Sequence, residues 1–216
     1  MDNFNEMAST WDKEPRRIER ARVVADEIRK SISGLQNMKA MEYGCGTGLL
    51  SFELQPYLKS IVLADNSEGM LKVLAEKIDK CKADNMKPIF ADLSESNIND
   101  SFDIIYTLMT LHHIVNTDKI ILSFRDLLNE SGYLCIADLV EEDGSFHGDG
   151  FVGHNGFNKE YLTGILKRQG FRVVSWKVCY DNIKKFDDGT EKVFPLFVLI
   201  AQKITDKIRQ FTRRAL

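Results

Sequence analysis

The residues best suited to chemistry form a short glycine-rich run, Glu42–Gly48, between an apolar run and an amphipathic one. Glycines at such a turn let the chain bend tightly and let a ligand approach the backbone. Dinucleotide sites favour the spacing G-x-G-x-x-G, in which the backbone meets a pyrophosphate. Here the third glycine comes one residue early, and an acid, Glu42, precedes the first. Because an acid repels pyrophosphate and attracts a cationic amino acid, the run favours a ligand with a cationic end, although a purely structural turn is the alternative.

Two aspartates follow the next predicted strands. Asp65 ends the second strand, roughly 20 residues beyond the glycine run, where an acid accepts hydrogen bonds from the hydroxyls of a ribose. Asp92 comes just after the third strand, where a carboxylate can accept from the exocyclic amine of adenine. The simpler interpretations are a helix N-cap for Asp65, a role that Ser67 also fits, and a loop acid facing water for Asp92. Their position relative to the glycine run favours a nucleoside site.

Four histidines lie in the second half of the chain. His112 and His113 follow the fourth predicted strand, and His147 and His154 lie in a Gly-rich segment after the fifth. We expect His112 and His154 to be the candidate catalytic residues, because imidazole titrates near neutral pH, and His113 to be structural. A packed or capping histidine at position 112, and surface histidines at the later two positions, are the alternatives. Asp138, at the end of the fifth strand, faces the same cleft.

The elements that must position these residues follow from an alternation of short apolar and amphipathic runs. The predicted strands of this part are Lys39–Tyr43, Ser60–Ala64, Lys87–Ala91, Phe102–Leu108 and Tyr133–Leu139. The predicted helices are Pro15–Ser33, Leu49–Tyr57, Glu68–Lys80 and Thr117–Leu128. Strands that alternate with helices imply right-handed βαβ units and a parallel sheet.

The pattern changes after the fifth strand. A Gly-rich segment, Asp143–Gly156, precedes a predicted helix, Lys159–Gln169, and two further strands, Phe171–Tyr180 and Val193–Gln202. The turn Asp187–Gly189 between the two strands indicates a hairpin, so they should be antiparallel to each other. The sequence therefore predicts an α/β fold with a seven-stranded, mostly parallel sheet, helices on both faces and an antiparallel last strand.

The ordered motifs resemble those of the class I S-adenosylmethionine-dependent methyltransferases. The matching runs are Glu42–Gly48, Leu63–Met70, Ala91–Leu93, Phe102–Ile105, Leu111–Ile114 and Gly132–Ile136. The likeness is close over residues 35–140 and looser elsewhere. It implies a Rossmann-like single methyltransferase domain over residues 1–216. Within it we expect an N-terminal helical cap (1–34), a cofactor-binding core (35–140), an acceptor-side lid with the terminal hairpin (141–202) and a C-terminal helix (203–216).

The resemblance also implies a site for S-adenosyl-L-methionine. The glycine-run residues serve its methionine end, the residues after the second and third strands surround the ribose and adenine, and those ending the fourth strand line the sulfonium side. A tryptophan of the N-terminal segment is expected to close over the cofactor as a lid, with a helix-docking aromatic as the alternative. The implied residues are Trp11, Glu42, Gly44, Cys45, Gly46, Asp65, Asn66, Met70, Asp92, Leu93, Thr107 and Leu108.

The implied function is methyl transfer to a small-molecule acceptor. A net charge of −3 and a pI near 5.9 disfavour a nucleic-acid partner. The fourth strand is not followed by Asn-Pro-Pro-Tyr or Asp-Pro-Pro-Tyr, which argues against methylation of nucleobase amino groups. A methyltransferase acting on RNA or protein, and a partner protein that binds the cofactor without catalysis, stay open as alternatives. The glycine spacing disfavours a nicotinamide-dependent oxidoreductase.

Composition indicates a cytoplasmic protein without a membrane or metal partner. The four cysteines form no CxxC pair and do not cluster with histidines in a zinc-like spacing, so we expect free thiols and no metal site. The longest apolar stretch, Phe194–Ala201, is too short to span a bilayer, and the N-terminus lacks a secretory pattern. The basic C-terminal helix, Ile204–Arg214, is expected to pack on its own domain, with a homodimer contact or an anionic partner as alternatives.

Overall fold

The computed structural model describes residues 4–92 and 98–205. Two sequence predictions therefore concern residues outside it: the role of Leu93, and the C-terminal helix beyond Thr205. The described chain begins with a short helix α1 (Phe4–Met7), a 3₁₀ turn (Ala8–Lys13) and a long helix α2 (Pro15–Ser31). This segment is the N-terminal cap.

The remaining elements follow the predicted order closely. The strands are β1 (Lys39–Tyr43), β2 (Ser60–Asp65), β3 (Met86–Phe90), β4 (Phe102–Leu108), β5 (Leu128–Leu139), β6 (Phe171–Lys185) and β7 (Glu191–Lys203). The helices are α3 (Leu49–Leu54), α4 (Glu68–Cys81), α5 (Thr117–Leu127) and α6 (Lys159–Arg168). Single 3₁₀ turns cover Leu35–Asn37, Gln55–Tyr57 and Leu111–His113.

The seven strands form one sheet in the order β3-β2-β1-β4-β5-β7-β6. Strands β1 to β5 are parallel, and β7 is antiparallel to both β5 and β6, which confirms the predicted topology. Strands β2 and β3 are added on one side of β1, and β4 and β5 on its other side, so the order of strand addition changes direction between β1 and β4. Ligands of open α/β sheets bind at the carboxyl ends of the strands beside such a switch point, and this is where the glycine run lies.

Both faces of the sheet are covered, which explains why the parallel strands are almost continuously apolar. Helices α2, α3 and α4 pack on one face with residues such as Ile104, and helices α5 and α6 pack on the other with residues such as Ile105. Neighbouring residues of β4 thus enter opposite halves of the core, as strand geometry requires. Within the described part of the chain, no helix is long and apolar enough to cross a membrane.

Local sequence explains most element boundaries. Helix α2 has Pro15 in its first turn, where the missing N–H costs nothing. Ser67 caps α4 by accepting from the N–H of Met70 at 3.2 Å. The predicted helix Leu49–Tyr57 is shorter, because its end around Pro56 tightens into a 3₁₀ turn. The hairpin strands are longer than predicted, because backbone pairing continues through polar residues as far as the pair Lys185 and Glu191.

The hairpin also anchors the Gly-rich segment Asp143–Gly156. The ammonium group of Lys184 donates to the carbonyl oxygens of Ser145 at 3.1 Å and Phe146 at 2.7 Å. Lys192 forms an ion pair with Asp143, with 2.5 Å between Nζ and Oδ1. The polar extension of the hairpin therefore holds this segment at the carboxyl edge of the sheet.

We expect Lys184→Ala to loosen this segment without unfolding the domain. Loss of about 1 kcal/mol of local hydrogen bonding should raise cleavage within Asp143–Gly156 about fivefold in limited proteolysis. Lys185→Ala is the matched control, because Lys185 pairs with the exposed Glu191 at the hairpin tip. Equal cleavage rates in the two variants would show that Lys184 does not hold the segment.

Candidate active site

The glycine run forms a tight turn fastened to the end of β2. The N–H groups of Gly44 and Cys45 donate to the carbonyl of Ala64 at 2.8 and 3.1 Å. Gly46 has a φ of +52°, and a Cβ placed there would meet nothing nearer than the sulfur of Met70 at 3.9 Å. A ligand can therefore approach the backbone of Gly46 closely. Cys45 is buried, and burial raises the pKa of its thiol, so this group stays protonated.

Asp65 holds the glycine run and the start of α4 together. Its Oδ2 accepts from the N–H of Gly46 at 2.7 Å, and its Oδ1 accepts from the N–H of Ser67 at 2.9 Å. Burial raises the pKa of Asp65 above its usual value, and the backbone N–H groups offset part of that rise. The structure thus gives Asp65 a turn-forming role, while Ser67 is the cap of α4.

The predicted adenine-side residues gather beside Asp65. The amide of Asn66 donates to Asp92 Oδ2, and the hydroxyl of Tyr43 donates to Asp92 Oδ1, both at 3.4 Å. Met70 is buried under the glycine run. Side chains from the ends of β1, β2 and β3 therefore lie beside one another, and their contact with an adenine stays a prediction.

Glu42 faces the core. It is buried, and its Oε2 accepts from the hydroxyl of Ser51. The Oγ of Ser51 in turn lies 2.7 Å from the hydroxyl of Tyr106. Burial raises the pKa of Glu42 to about 8, although the hydrogen bonds from Ser51 favour the charged form. Without a cation beside it, Glu42 is therefore mainly protonated at neutral pH.

The end of β4 meets the glycine run directly. The hydroxyl of Thr110 donates to the carbonyls of Gly44 at 3.2 Å and Leu108 at 3.1 Å. Thr107 is buried, and its hydroxyl has no hydrogen-bond partner among the described residues. Leu108 is half-buried against the first face of the core. Thr110 is a site residue that sequence reasoning missed, since a lone threonine after a strand carries no signal.

Polar contacts fasten the N-terminal cap to the same edge. Asp12 accepts from the hydroxyl of Thr47 at 2.5 Å and forms an ion pair with Lys77 at 2.6 Å. Nearer the start, Asn5 accepts from the N–H of Gly69 at 2.9 Å. These contacts join residues far apart in the chain, 35 positions in the case of Asp12 and Thr47, so spacing could not reveal them.

Trp11 lies within this cap. The guanidinium of Arg17 stacks over the indole, 3.6 Å from its centroid, and also donates to the Trp11 carbonyl at 3.1 Å. Phe4 meets the indole edge-on at 5.9 Å. Trp11 is half-buried and held at the edge of the site, and its closing over a cofactor stays a prediction.

His112 and Asp138 form a buried pair between the ends of β4 and β5. The Nδ1 of His112 lies 2.6 Å from Asp138 Oδ1, and the N–H of His112 donates to Oδ2 at 3.1 Å. Leu139 also donates its N–H to Oδ1 at 2.7 Å. The Nε2 of His112 has no hydrogen-bond partner in the described part of the chain.

His154 contacts the segment that follows β4, between His112 and Thr117. Its Nε2 is 3.1 Å from the carbonyl oxygen of Ile114 and 3.0 Å from the hydroxyl of Thr117. Its backbone N–H donates to the carbonyl of His112 at 2.7 Å. A Cβ on the preceding Gly153 would lie 2.4 Å from that carbonyl oxygen, so only glycine permits this approach. The contacts favour a structural role for His154, and a catalytic role stays a prediction.

Three histidines come together at this edge, although their spacing in the sequence gave no metal signal. The nitrogens offered by His112, His113 and His147 all lie within 4.8 Å of one another. His147 belongs to the segment that Lys184 anchors. Its ring stacks on that of Phe151, with 3.9 Å between centroids and 10° between planes.

The site fits S-adenosylmethionine. The space above Gly46 admits the ligand to the backbone. Each oxygen of Asp65 accepts one backbone N–H and keeps a lone pair for a ribose hydroxyl. Thr107 adds a buried hydroxyl without a partner among residues 4–92 and 98–205. A cationic amino acid near Glu42 would shift that carboxyl toward its charged form.

Comparison with known proteins gives a family and a fold. The methyltransferase domain family matches residues 35–174. An uncharacterized methyltransferase of Schizosaccharomyces pombe is 29% identical over 147 residues, which cover 60% of this chain and 52% of that protein. Ubiquinone biosynthesis O-methyltransferase of Pelagibacter ubique is 29% identical over 142 residues, covering 64% and 55%. The match thus spans about half the length of these curated relatives.

A solved structure extends the likeness of fold over nearly the whole chain. A chain described as a methyltransferase, in a complex with the Haloferax volcanii methyltransferase activator Trm112, superposes with a TM-score of 0.76. The superposition covers 95% of this chain and 99% of that chain at 12% sequence identity. At this identity the likeness concerns the fold alone.

We expect the raised pKa of Glu42 to make stability depend on pH. The folded state holds a proton that the unfolded chain loses near pH 4.5, so the free energy of unfolding should fall as pH rises toward 8. In urea titrations at pH 5.5 and 8, Glu42→Gln should remove about 2–3 kcal/mol of that fall. The other titrating groups contribute equally to wild type and variant, so their effects on the free energy of unfolding cancel in the comparison. Parallel pH profiles for wild type and variant would contradict the assignment.

Proposed function

Because the chain belongs to the class I S-adenosylmethionine-dependent methyltransferases, we propose that it transfers the methyl group of S-adenosylmethionine to a small-molecule acceptor. The observation that carries the proposal is the turn at Gly46, which leaves space for a ligand beside the backbone and whose N–H donates to Asp65. A backbone that a ligand can approach and a carboxylate suited to ribose hydroxyls stand together at the switch point of the sheet.

The residues of the site contribute binding and orientation. S-adenosylmethionine supplies a methyl group that is already activated on a sulfonium, so the protein needs to align the acceptor and exclude water. Asp65 would hold the ribose, and Asn66 and Asp92 would contact the adenine. The buried hydroxyl of Thr107 lies at the end of β4, on the side expected to face the sulfonium. Glu42 would carry its charge only when the cationic methionine end is bound.

Several features support a small acceptor. The N-terminal cap and the segment Asp143–Gly156 are both fastened at the carboxyl edge of the sheet, where they would cover a small acceptor. The aromatic rings of Phe4 and Phe151 meet the edge of His113 at 5.5 and 5.3 Å, which suits an apolar or planar acceptor. The relative from Pelagibacter ubique carries the name of an O-methyltransferase of ubiquinone biosynthesis, which is consistent with a small acceptor.

Of the two histidines considered for catalysis, the geometry supports His112. Asp138 orients its ring and leaves Nε2 without a partner among the described residues, as a proton acceptor requires. His154 uses its Nε2 to join two turns. Orientation and exclusion of water are nevertheless the larger contributions that we expect, because the donor is already activated.

Cofactor binding is tested at Asp65. We expect Asp65→Ala to weaken binding of S-adenosylhomocysteine at least tenfold, because two charge-assisted hydrogen bonds of roughly 1.5–3 kcal/mol each are lost. Isothermal titration calorimetry measures the affinity. Asp84→Ala, an exposed aspartate after α4, is the control and should bind as wild type does. Unchanged affinity in Asp65→Ala would refute the site.

The lid role of Trp11 has a spectroscopic test. The chain has two tryptophans, and Trp176 stacks on Phe197 in the core at 3.9 Å, so Trp176→Phe leaves Trp11 as the single indole. We expect S-adenosylhomocysteine to shift its emission to shorter wavelength and to protect the nearby backbone from proteolysis, because a closing lid loses contact with water. Identical spectra and cleavage with and without the ligand would argue for a helix-docking aromatic instead.

A further inference from the structure

The three-histidine cluster has features that methyl transfer from a sulfonium does not need. His112 is 1% exposed, and its Nε2 has no hydrogen-bond partner among the residues described. A buried polar atom without a partner costs free energy, so its presence calls for a ligand. Two more imidazoles, His113 and His147, offer nitrogens within 4.8 Å of it and of each other. We propose that His112, His113 and His147 bind one divalent transition-metal ion.

Asp138 determines which nitrogen of His112 is available. Its two carboxylate oxygens accept the backbone N–H groups of His112 and Leu139, so both oxygens act as hydrogen-bond acceptors. The Nδ1 of His112, 2.6 Å from Asp138 Oδ1, must then carry the proton, and Nε2 carries the lone pair. Metal-binding histidines usually donate their second ring nitrogen to a carboxylate in this way, because the bond fixes the tautomer and strengthens the ligand.

The spacing of the three rings is close to what a metal requires. With metal–nitrogen distances of about 2.0–2.1 Å, tetrahedral ligands are about 3.3–3.4 Å apart. The cluster, with nitrogens within 4.8 Å and ring centroids 4.2–5.2 Å apart, therefore needs only small rotations to close. His113 and His147 are half-buried and can rotate more freely than His112. Neutral imidazole favours zinc, iron, cobalt or nickel over magnesium and calcium.

The surrounding residues favour a metal ligand set over an isolated base. A general base requires one imidazole, and His112 with Asp138 would suffice. The fold instead brings His147 in from the segment that Lys184 and Lys192 anchor, and stacks it on Phe151. A single base does not need three converging nitrogens, whereas a transition-metal ion does.

Three protein ligands leave at least one coordination position open, as in catalytic metal sites. The cluster begins two residues after Thr110, which contacts the glycine run at Gly44. On the premise of the proposed function, the open position would take an oxygen of the methyl acceptor, and His112 would then serve as a metal ligand rather than as a base. The metal would then orient that oxygen and lower the pKa of a hydroxyl there.

Metal binding can be measured without knowing the acceptor. Untagged protein, stripped with a chelator, is titrated with Zn²⁺ by calorimetry, with Co²⁺ absorption as a second reading of ligand geometry. We expect one Zn²⁺ per chain and no measurable Mg²⁺ binding. His147→Phe keeps a ring to stack on Phe151 but removes a ligand. Its Zn²⁺ affinity should fall more than about a hundredfold, beyond the effect of losing an outer-shell partner.

Two further variants separate the site from general effects. Asp138→Asn should reverse the tautomer of His112 and weaken Zn²⁺ binding about 10–100-fold. His154→Gln also removes one histidine but lies outside the cluster, so it should bind Zn²⁺ as wild type does. S-adenosylhomocysteine affinity, measured on each variant, reports whether the domain is folded.

The outcomes distinguish this proposal from the proposed function. Wild type that binds S-adenosylhomocysteine but no Zn²⁺ would overturn the metal site and leave the methyltransferase site intact. Wild type that binds Zn²⁺ but no S-adenosylhomocysteine would support the metal site and overturn the methyltransferase site. If Zn²⁺ binds equally to wild type and His147→Phe, the ion lies elsewhere and the proposal is wrong.

Discussion

The carboxylate of Asp65 connects the parts on which the site depends. It accepts one N–H from the glycine run and one from the first turn of α4, so the two turns at the ends of β1 and β2 share a single anchor. Burial opposes its charge, and the backbone N–H groups of Gly46, Ser67 and Asn66 offset part of that cost. A ribose would add hydroxyls to a carboxylate whose position is already fixed, so little ordering is needed when a ligand binds.

Three acids at this edge of the sheet, two of them buried and Asp65 partly buried, have different environments. Glu42 meets hydroxyl groups and is mainly protonated near neutral pH. Asp65 meets backbone N–H groups. Asp138 meets two backbone N–H groups and the ring of His112. Because protonation follows environment, the same kind of side chain can respond to a cationic ligand, hold a turn, or set the tautomer of a histidine.

Charged side chains fasten the start of the N-terminal cap and the segment Asp143–Gly156 to the edge of the sheet, whereas helix α2 of the cap packs in the core. Asp12 and Lys77 hold the N-terminal cap to the glycine run, and Lys184 and Lys192 hold the segment that carries His147. Ion pairs and hydrogen bonds near the surface are weak individually. Such attachments are expected to break more easily than the packing of the sheet and its helices.

Sequence patterns were sufficient for the sheet, its topology and the tight turn at Gly46, because apolar periodicity and glycine spacing are local consequences of strand and turn geometry. The bounds of β1 and β4 were predicted without error. Only the tertiary structure shows that Glu42 faces Ser51, that Asp12 reaches Thr47, and that His147 joins His112 and His113. These contacts join residues of separate elements, and no periodicity within one element encodes which distant side chain will meet it.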